Sequence, residues 1–383
     1  MCGIFGKMYF HKKINESPML IDCLDTLTHR GPDDSGIYED KCIFLGSKRL
    51  SIIDLSNAGH MPMSNKKKNL RIVFNGEIFN YLELRKTLLK KHHFHSNTDT
   101  EVVLQLFEKM GPSCLNELRG MFAFAIWNSD SGELFIARDH LGKKPLKYYA
   151  DNNYFIFSSE LKAILKDPSI SKEIDPIAVD EFLTYQYVPS PRTGFKNIYK
   201  LEPAHYLIVK KDGNILKKRY WKPRFFPKLT LSENESKKYV LDELKNSVKM
   251  RLRSDVPLGA HLSGGIDSSL IVALMSEQLN QPVKTFSIGF EAPEYNELPY
   301  ARLVASKYNT VHHEIIINSQ SLGELPHISY FFEEPYADPA MIPTWFLCKE
   351  TKREVTVALN GDGGDENFGG YQRYSKYVII QYL

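Results

Sequence analysis

Two domains of different class are expected from this sequence: an antiparallel α+β domain first, then an α/β domain on a parallel, doubly wound sheet. Three observations carry that expectation. Hairpin signals crowd the first half of the chain, a proline-bearing stretch of weak periodicity fills 222–236, and beyond it strands alternate with helices. A length of 383 residues suits two domains. The boundaries expected are 2–221, a linker at 222–236, and 237–383.

The first domain reads as follows. "LRIVF" (70–74) is a short β-branched and aromatic strand. "NYLELRKTLLKK" opens a helix at Asn80, a good N-cap, with Leu84 and Leu88 following. "TDTEVVLQLFEKM" begins with Thr98 and Glu101 at capping-box spacing, and Val102, Val103, Leu106 and Met110 share one face. "MFAFAIW" (121–127) is a buried strand, turned by Asn128-Ser129-Asp130-Ser131-Gly132 into "ELFIA". Two further hairpins follow at 148–159 and 205–221.

After the linker "KPRFFPKLTLSENES", an amphipathic helix carries Val240, Leu241, Leu244, Val248 and Leu252 on one stripe. Then come "VPLGAHL" (256–262), a loop, the helix "SLIVALMSEQL", and the strands "VKTFSIGF", "VHHEIII" and "EVTVALN". That alternation is the pattern of a parallel sheet.

Composition narrows the function. Hydrophobic residues make up 43% and charged residues 25%, with a net charge of +3, so neither a nucleic acid nor a membrane surface is expected as partner. The run Lys66-Lys67-Lys68 reads as a solvated loop. Five cysteines at irregular spacing, without a CxxC pair, suggest neither a zinc site nor a disulfide framework. With no signal peptide or membrane-length apolar run, the cytoplasm is the expected location.

Three motifs carry chemistry. In Ser263-Gly264-Gly265-Ile266-Asp267-Ser268-Ser269, between strand and helix, glycines admit an anion and the helix N-terminus faces it. Asp267 can hold Mg²⁺ bridging phosphates, and no Walker lysine is present. "LNGDGGDENFGGY" (359–371) follows a strand and supplies Asp362, Asp365 and Glu366; the alternative is a flexible acidic turn. "MCGIFG" opens the chain. Cys2 is either an ordinary small terminal residue or, with Met1 removed, a thiol beside its own α-amine, a base with an unperturbed pKa near ~8.

The phosphate loop resembles the signature of the PP-loop ATP pyrophosphatases. Together with "HRGPDDSG", "RLSIIDL", "FNGEIFNY", "NTDTE", "GMFAFAIW", "ARDHLGKKPL" and "SSELKAIL", the chain resembles the glutamine-dependent asparagine synthetases over essentially its whole length. The resemblance implies an αββα sandwich of the N-terminal-nucleophile type, then a Rossmann-like PP-loop domain. It implies that Cys2 attacks the glutamine amide and that Asn75 and Gly76 hold the oxyanion, although Asn75-Gly76 alone reads as a type I′ turn. Arg49 would take the glutamine α-carboxylate, with Leu50, Ser51, Ile52 and Ile53 along the same wall. Glu77 and Asp99 would hold the α-ammonium, Asp99 being also a natural helix-cap residue. Leu262, Ser263, Gly264, Gly265, Asp267, Ser268 and Ser269 would cradle ATP, with Ile288 at the adenine and Asn360 and Gly361 on the nucleotide. Asp267 and Asp365 would coordinate Mg²⁺, and Asp362 would promote formation of the aspartyl-AMP. Ammonia would travel a shielded route to that intermediate.

Two departures follow. Asp362 stands where the best-studied members have glutamate, which opens the acceptor to carboxylates other than aspartate, as in polysaccharide or natural-product assembly; Ala204 stands where glycine is common. Family members also continue for roughly another domain beyond "YVIIQYL". We therefore expect a shortened chain or natural fragment that hydrolyses glutamine and makes little or no asparagine. A homodimer is the family's habit, and a fragment that only binds nucleotide or a partner is the remaining alternative.

Overall fold

A computed structural model of the chain describes residues 1–11, 16–292, 294 and 296–381. The last two residues of the "YVIIQYL" run lie outside them. The chain forms two compact units, Met1–Lys228 with Ser329–Ala337, and Leu229–Ile328 with Asp338–Leu383.

In the first unit the strands are β1 (Gly3–Tyr9), β2 (Asp34–Glu39), β3 (Ile43–Arg49), β4 (Met63–Ser64), β5 (Leu70–Ile78), β6 (Gly120–Asn128), β7 (Glu133–Arg138), β8 (Lys147–Ala150), β9 (Tyr154–Ser158), β10 (Ile198–Lys200), β11 (His205–Lys210) and β12 (Ile215–Arg219). Among the described residues they make two six-stranded sheets, ordered β10-β8-β9-β1-β3-β2 and β12-β11-β7-β6-β5-β4. Their ladders are antiparallel.

Side-chain alternation stacks them. Along β1, Ile4 and Met8 join Val73, Ala123, Ala125 and Trp127 of the other sheet in a shared core, while Phe5 and Tyr9 turn outward to Leu20, Leu24 and Ile164. In β6, Phe122, Phe124 and Ile126 face Val102, Val103 and Leu106 of the helix Asp99–Met110. The order is helix, sheet, sheet, helix: an αββα sandwich. Each large apolar side chain so buried contributes about 1.5–3 kcal/mol relative to exposure.

Local chemistry differs from expectation at two points, the caps at Thr98 and Asn80. Thr98 caps its helix through Glu101 N at 3.2 Å, but the Glu101 carboxylate does not return to the cap. It accepts from Ser96 N at 2.7 Å and His95 N at 3.0 Å, fixing the preceding loop. Asn80 makes no side-chain cap; it accepts from Arg119 N and donates to Glu117 O, and its helix is the short Tyr81–Thr87. Asn75-Gly76 is no turn, because β5 runs straight through it against β6.

The second unit holds β13 (Leu258–His261), β14 (Lys284–Phe290), β15 (Val311–Ile317) and β16 (Val357–Leu359), all parallel in the order β15-β14-β13-β16. The helix Glu233–Arg251 begins within the stretch read as linker, on a full capping box between Ser232 and Glu235. Val248, Leu244 and Leu252 of its stripe pack on the core, whereas Leu241 stays 39% exposed. The chain runs from β13 out to β15, then returns to place β16 on the other side of β13. The loops after β13 and β16 therefore leave side by side at the switch point, where α/β sheets bind ligands.

Candidate active site

The chain entering β1 carries Cys2, and β1 pairs with β3 from Gly3↔Lys48 onward. That register sets Cys2 against Leu50, just past β3: Leu50 N donates to Cys2 Sγ at 3.4 Å, and the thiol points to Leu50 O at 3.7 Å. Cys2 belongs to the same core cluster as Phe74 and Ile78 of β5. Burial pushes its thiol upward, while the N-terminal ammonium, the Leu50 N–H, Arg49 and Lys144 pull it down. The N-terminal amine, carried here by Met1, is lowered to about 5 by burial, with Arg30 and Lys144 pushing the same way.

On β5, Asn75 has no exposed surface, and neither its Oδ1 nor its Nδ2 has a hydrogen-bond partner. A buried amide with both ends unsatisfied costs about 1–3 kcal/mol, so a strand does not hold one without reason. Gly76 beside it faces Phe122 in the ladder, and a Cβ there would overlap Met121 O.

Arg49 ends β3 and is 6% exposed. Its guanidinium donates to Asp54 O at 2.6 Å and Ile53 O at 3.2 Å, and Gly59 lies so close that a Cβ would overlap it. Asp54, with φ of 58°, holds this turn through Ser56 Oγ at 2.6 Å and Asn97 N at 2.7 Å. Leu50 and Ile53 pack against the core, and Ser51 N donates to Asp33 at 2.8 Å. Asp99 accepts from Ile78 N at 2.8 Å, so its carboxylate adjoins Glu77 at the end of β5. Burial raises Asp99 to about 7, with Glu77 adding to the rise.

Sequence reasoning missed the next ring. Arg30 donates to Cys2 O at 3.0 Å and pairs with Glu160 at 2.6 Å. Although burial opposes it, His29 and Arg30 hold the Glu160 carboxyl far below its usual range. Lys144 lies 143 residues from Met1 in sequence and hydrogen-bonds its Sδ at 2.8 Å. The quoted strings "HRGPDDSG", "ARDHLGKKPL" and "SSELKAIL" contain all three residues, but no spacing rule marked them.

In the second unit, the loop after β13 folds on its own hydroxyls. Ser263 N donates to Ser268 Oγ at 3.2 Å, the two hydroxyls bond at 2.9 Å, and Gly265 N donates to Ser263 Oγ at 3.2 Å. Gly264 has φ of 85°, and a Cβ there would come within 2.5 Å of Ala301 N. Ser269 Oγ is buried without a partner. The loop after β16 lies directly on the first: a Cβ on Gly361 would sit 2.8 Å from Ser268 N, and one on Gly364 would overlap the Asp267 carboxylate. Asn360 Nδ2 donates to Asp362 Oδ2 at 2.6 Å, and Asp362 is near enough to raise the His261 imidazole, which burial lowers. Asp365 packs under Gly370 of the same loop, and Ile288 lies on β14. Among the described residues no group of three or more His, Cys, Asp or Glu is gathered to hold a metal, and no helix is long and apolar enough to cross a membrane.

Comparison with known proteins finds two family models in succession along the chain, the second of which includes Ser329–Ala337 of the first compact unit. Residues 1–221 match the family model of the glutamine amidotransferase domain, and residues 239–382 match that of asparagine synthase. The chain is 40% identical over its full length to asparagine synthetase [glutamine-hydrolyzing] 1 of Bacillus subtilis, of which it covers 60%. It is 39% identical to the putative asparagine synthetase [glutamine-hydrolyzing] 2 of Methanocaldococcus jannaschii, covering 98% of this chain and 76% of that one. It is also 30% identical to amidase chry2 of Gibberella zeae, over 98% of this chain and 60% of that protein.

Proposed function

Because the chain belongs to the family of glutamine-hydrolysing asparagine synthetases, we propose that it takes nitrogen from glutamine at Cys2 and delivers it to a carboxylate activated by ATP, with aspartate as the acceptor. With Met1 gone, the Cys2 α-amine takes the thiol proton. Sγ bonds to the amide carbon, the C–N bond breaks and ammonia leaves; water then hydrolyses the thioester to glutamate. Asn75 Nδ2 and Gly76 N stabilise the oxyanion. Arg49 binds the α-carboxylate in a wall that includes Leu50, Ser51, Ile52 and Ile53, and Glu77 with Asp99 binds the α-ammonium.

The second unit binds ATP on Leu262 to Gly265 and Asp267 to Ser269, with Ile288 at the base and Asn360 and Gly361 from the neighbouring loop. The acceptor carboxylate displaces pyrophosphate at the α-phosphate, Asp362 promotes that step, and ammonia displaces AMP. Asp267 and Asp365, whose carboxylates offer the hard oxygen that Mg²⁺ prefers, would hold the ion, which would supply charge neutralisation for the pyrophosphate leaving group. The five free cysteines favour the reducing cytoplasm.

The observation that best supports this reading is the orphaned, fully buried amide of Asn75 on β5, the strand whose Phe74 and Ile78 share a core cluster with Cys2. Its test is product mass spectrometry with ¹⁵N-amide glutamine, ATP, Mg²⁺ and candidate acids. Labelled asparagine with AMP and pyrophosphate is expected from a chain extended to the relatives' full length, and labelled ammonia with little or no asparagine from these 383 residues alone. ATP-dependent label on a different acid would move the reading to another acceptor, the alternative that Asp362 leaves open. Release of ammonia without ATP turnover would leave only the glutaminase half.

A further inference from the structure

The loop between β7 and β8 is fixed far more firmly than an exposed connection requires. The Asp139 carboxylate, 1% exposed, accepts from the backbone N–H of Phe122, Leu141, Lys143 and Lys144. Arg138 clamps the same loop from outside, donating to Lys144 O at 2.8 Å and Gly142 O at 2.7 Å. The product of this scaffold is one buried side chain, Lys144, 4% exposed. A buried ammonium ordinarily hydrogen-bonds a carboxylate. Here Nζ donates to the thioether of Met1, a weak acceptor on a residue that is itself 51% exposed.

We infer, resting on the reading of Cys2 as nucleophile, that Lys144 is a positioning residue masked by Met1. Removal of Met1 then does two things at once. It frees the α-amine of Cys2, and it strips Lys144 of its sulfur partner, leaving a buried cation beside the new amine and thiol. Cys2 and Lys144 are near enough to shift one another's protonation, and Lys144 also acts on the terminal amine. A cation there disfavours the ammonium form of the amine, keeping it a base, and favours the thiolate. The other charged groups facing this spot are Arg30, Arg49, Glu77 and Asp139. Arg30 acts on the amine and Arg49 on the thiol in the same direction, but Arg30 stays tied to Glu160 and Arg49 to backbone carbonyls, whereas Lys144 gives up the Met1 sulfur.

The test is the pH dependence of Cys2 alkylation by iodoacetamide in the full chain. Peptide mass spectrometry confirms loss of Met1 and the site of labelling, and thermal melting checks folding. In Lys144→Met, the midpoint of alkylation against pH is expected to rise by about one unit, so that labelling at pH 7 slows about tenfold. Lys144→Arg should keep the parent profile. Lys144→Gln, which retains length and polarity, should shift like Lys144→Met and carries the test if the latter melts early. A profile unchanged in the folded neutral variants, on chains that have lost Met1, would overturn the inference. Alkylation reads the thiol whether or not glutamine is hydrolysed. A chain without glutaminase activity that still showed the Lys144-dependent shift would therefore overturn the proposed function and uphold this inference.

Discussion

Truncating Asn75 to alanine should separate activity from stability. The amide is fully buried and both its polar atoms are unpaired. Removing an unsatisfied buried amide recovers about 1–3 kcal/mol, against a cavity cost of about 1 kcal/mol for the lost atoms. Asn75→Ala should therefore be as stable as the parent, or more stable by up to about 2 kcal/mol. Catalysis should go the other way, since loss of one oxyanion donor costs about 10²–10³ in kcat, or about 2.7–4 kcal/mol. The assay is ammonia release at saturating glutamine, beside chemical denaturation of the first unit followed by tryptophan fluorescence of buried Trp127. An undiminished kcat would refute the oxyanion role. A loss of stability typical of a broken buried hydrogen bond would refute the idea that the amide stands idle until substrate arrives.

Gly59→Ala drives a methyl group into the Arg49 guanidinium. It should raise KM for glutamine about tenfold, near 1.4 kcal/mol of binding, with a smaller effect on kcat, as steady-state kinetics would show. Asp99 sits at about 7 in the fold, above its unfolded value, so the unfolded chain ionises first and this residue's contribution to stability falls as pH rises from about 4 to 7. Denaturation at pH 5 and pH 8 should show that Asp99→Asn gains on the parent at the higher pH, while the parent's KM for glutamine should drop as pH rises through 7. Gly364→Ala overlaps the Asp267 carboxylate. It should abolish glutamine-independent pyrophosphate release from ATP and acceptor while leaving ammonia release from glutamine intact.

What the sequence disclosed and what it hid follow from range. Hairpins such as Asn128 to Gly132 are local and strongly coded, and β6 and β7 pair as that turn requires. The loop 263–269 was equally legible, because glycine, hydroxyl and helix start lie within a few residues. Asn75-Gly76 has the local code of a turn, yet the ladder to β6 overrides it with nine paired positions from Leu70↔Asn128 to Ile78↔Gly120. The surroundings of Cys2 were illegible for the opposite reason. Arg30, Lys144 and Glu160 reach the N-terminal residues only through the fold, from 28, 143 and 130 residues away from their respective partners. Nor did any periodicity reveal that Ser329–Ala337 would pack with the first unit, where Glu333 accepts from Leu161 N at 2.8 Å and Lys162 N at 2.7 Å.

The most direct measurement is peptide mass spectrometry after incubation with a glutamine analogue bearing a diazoketone in place of the amide. We expect a single acyl-methyl adduct on Cys2 at the first position of a chain that has lost Met1, blocked by excess glutamine. An adduct on another residue, or on Cys2 in chains that keep Met1, would contradict the assignment of an N-terminal thiol as the group that opens the amide.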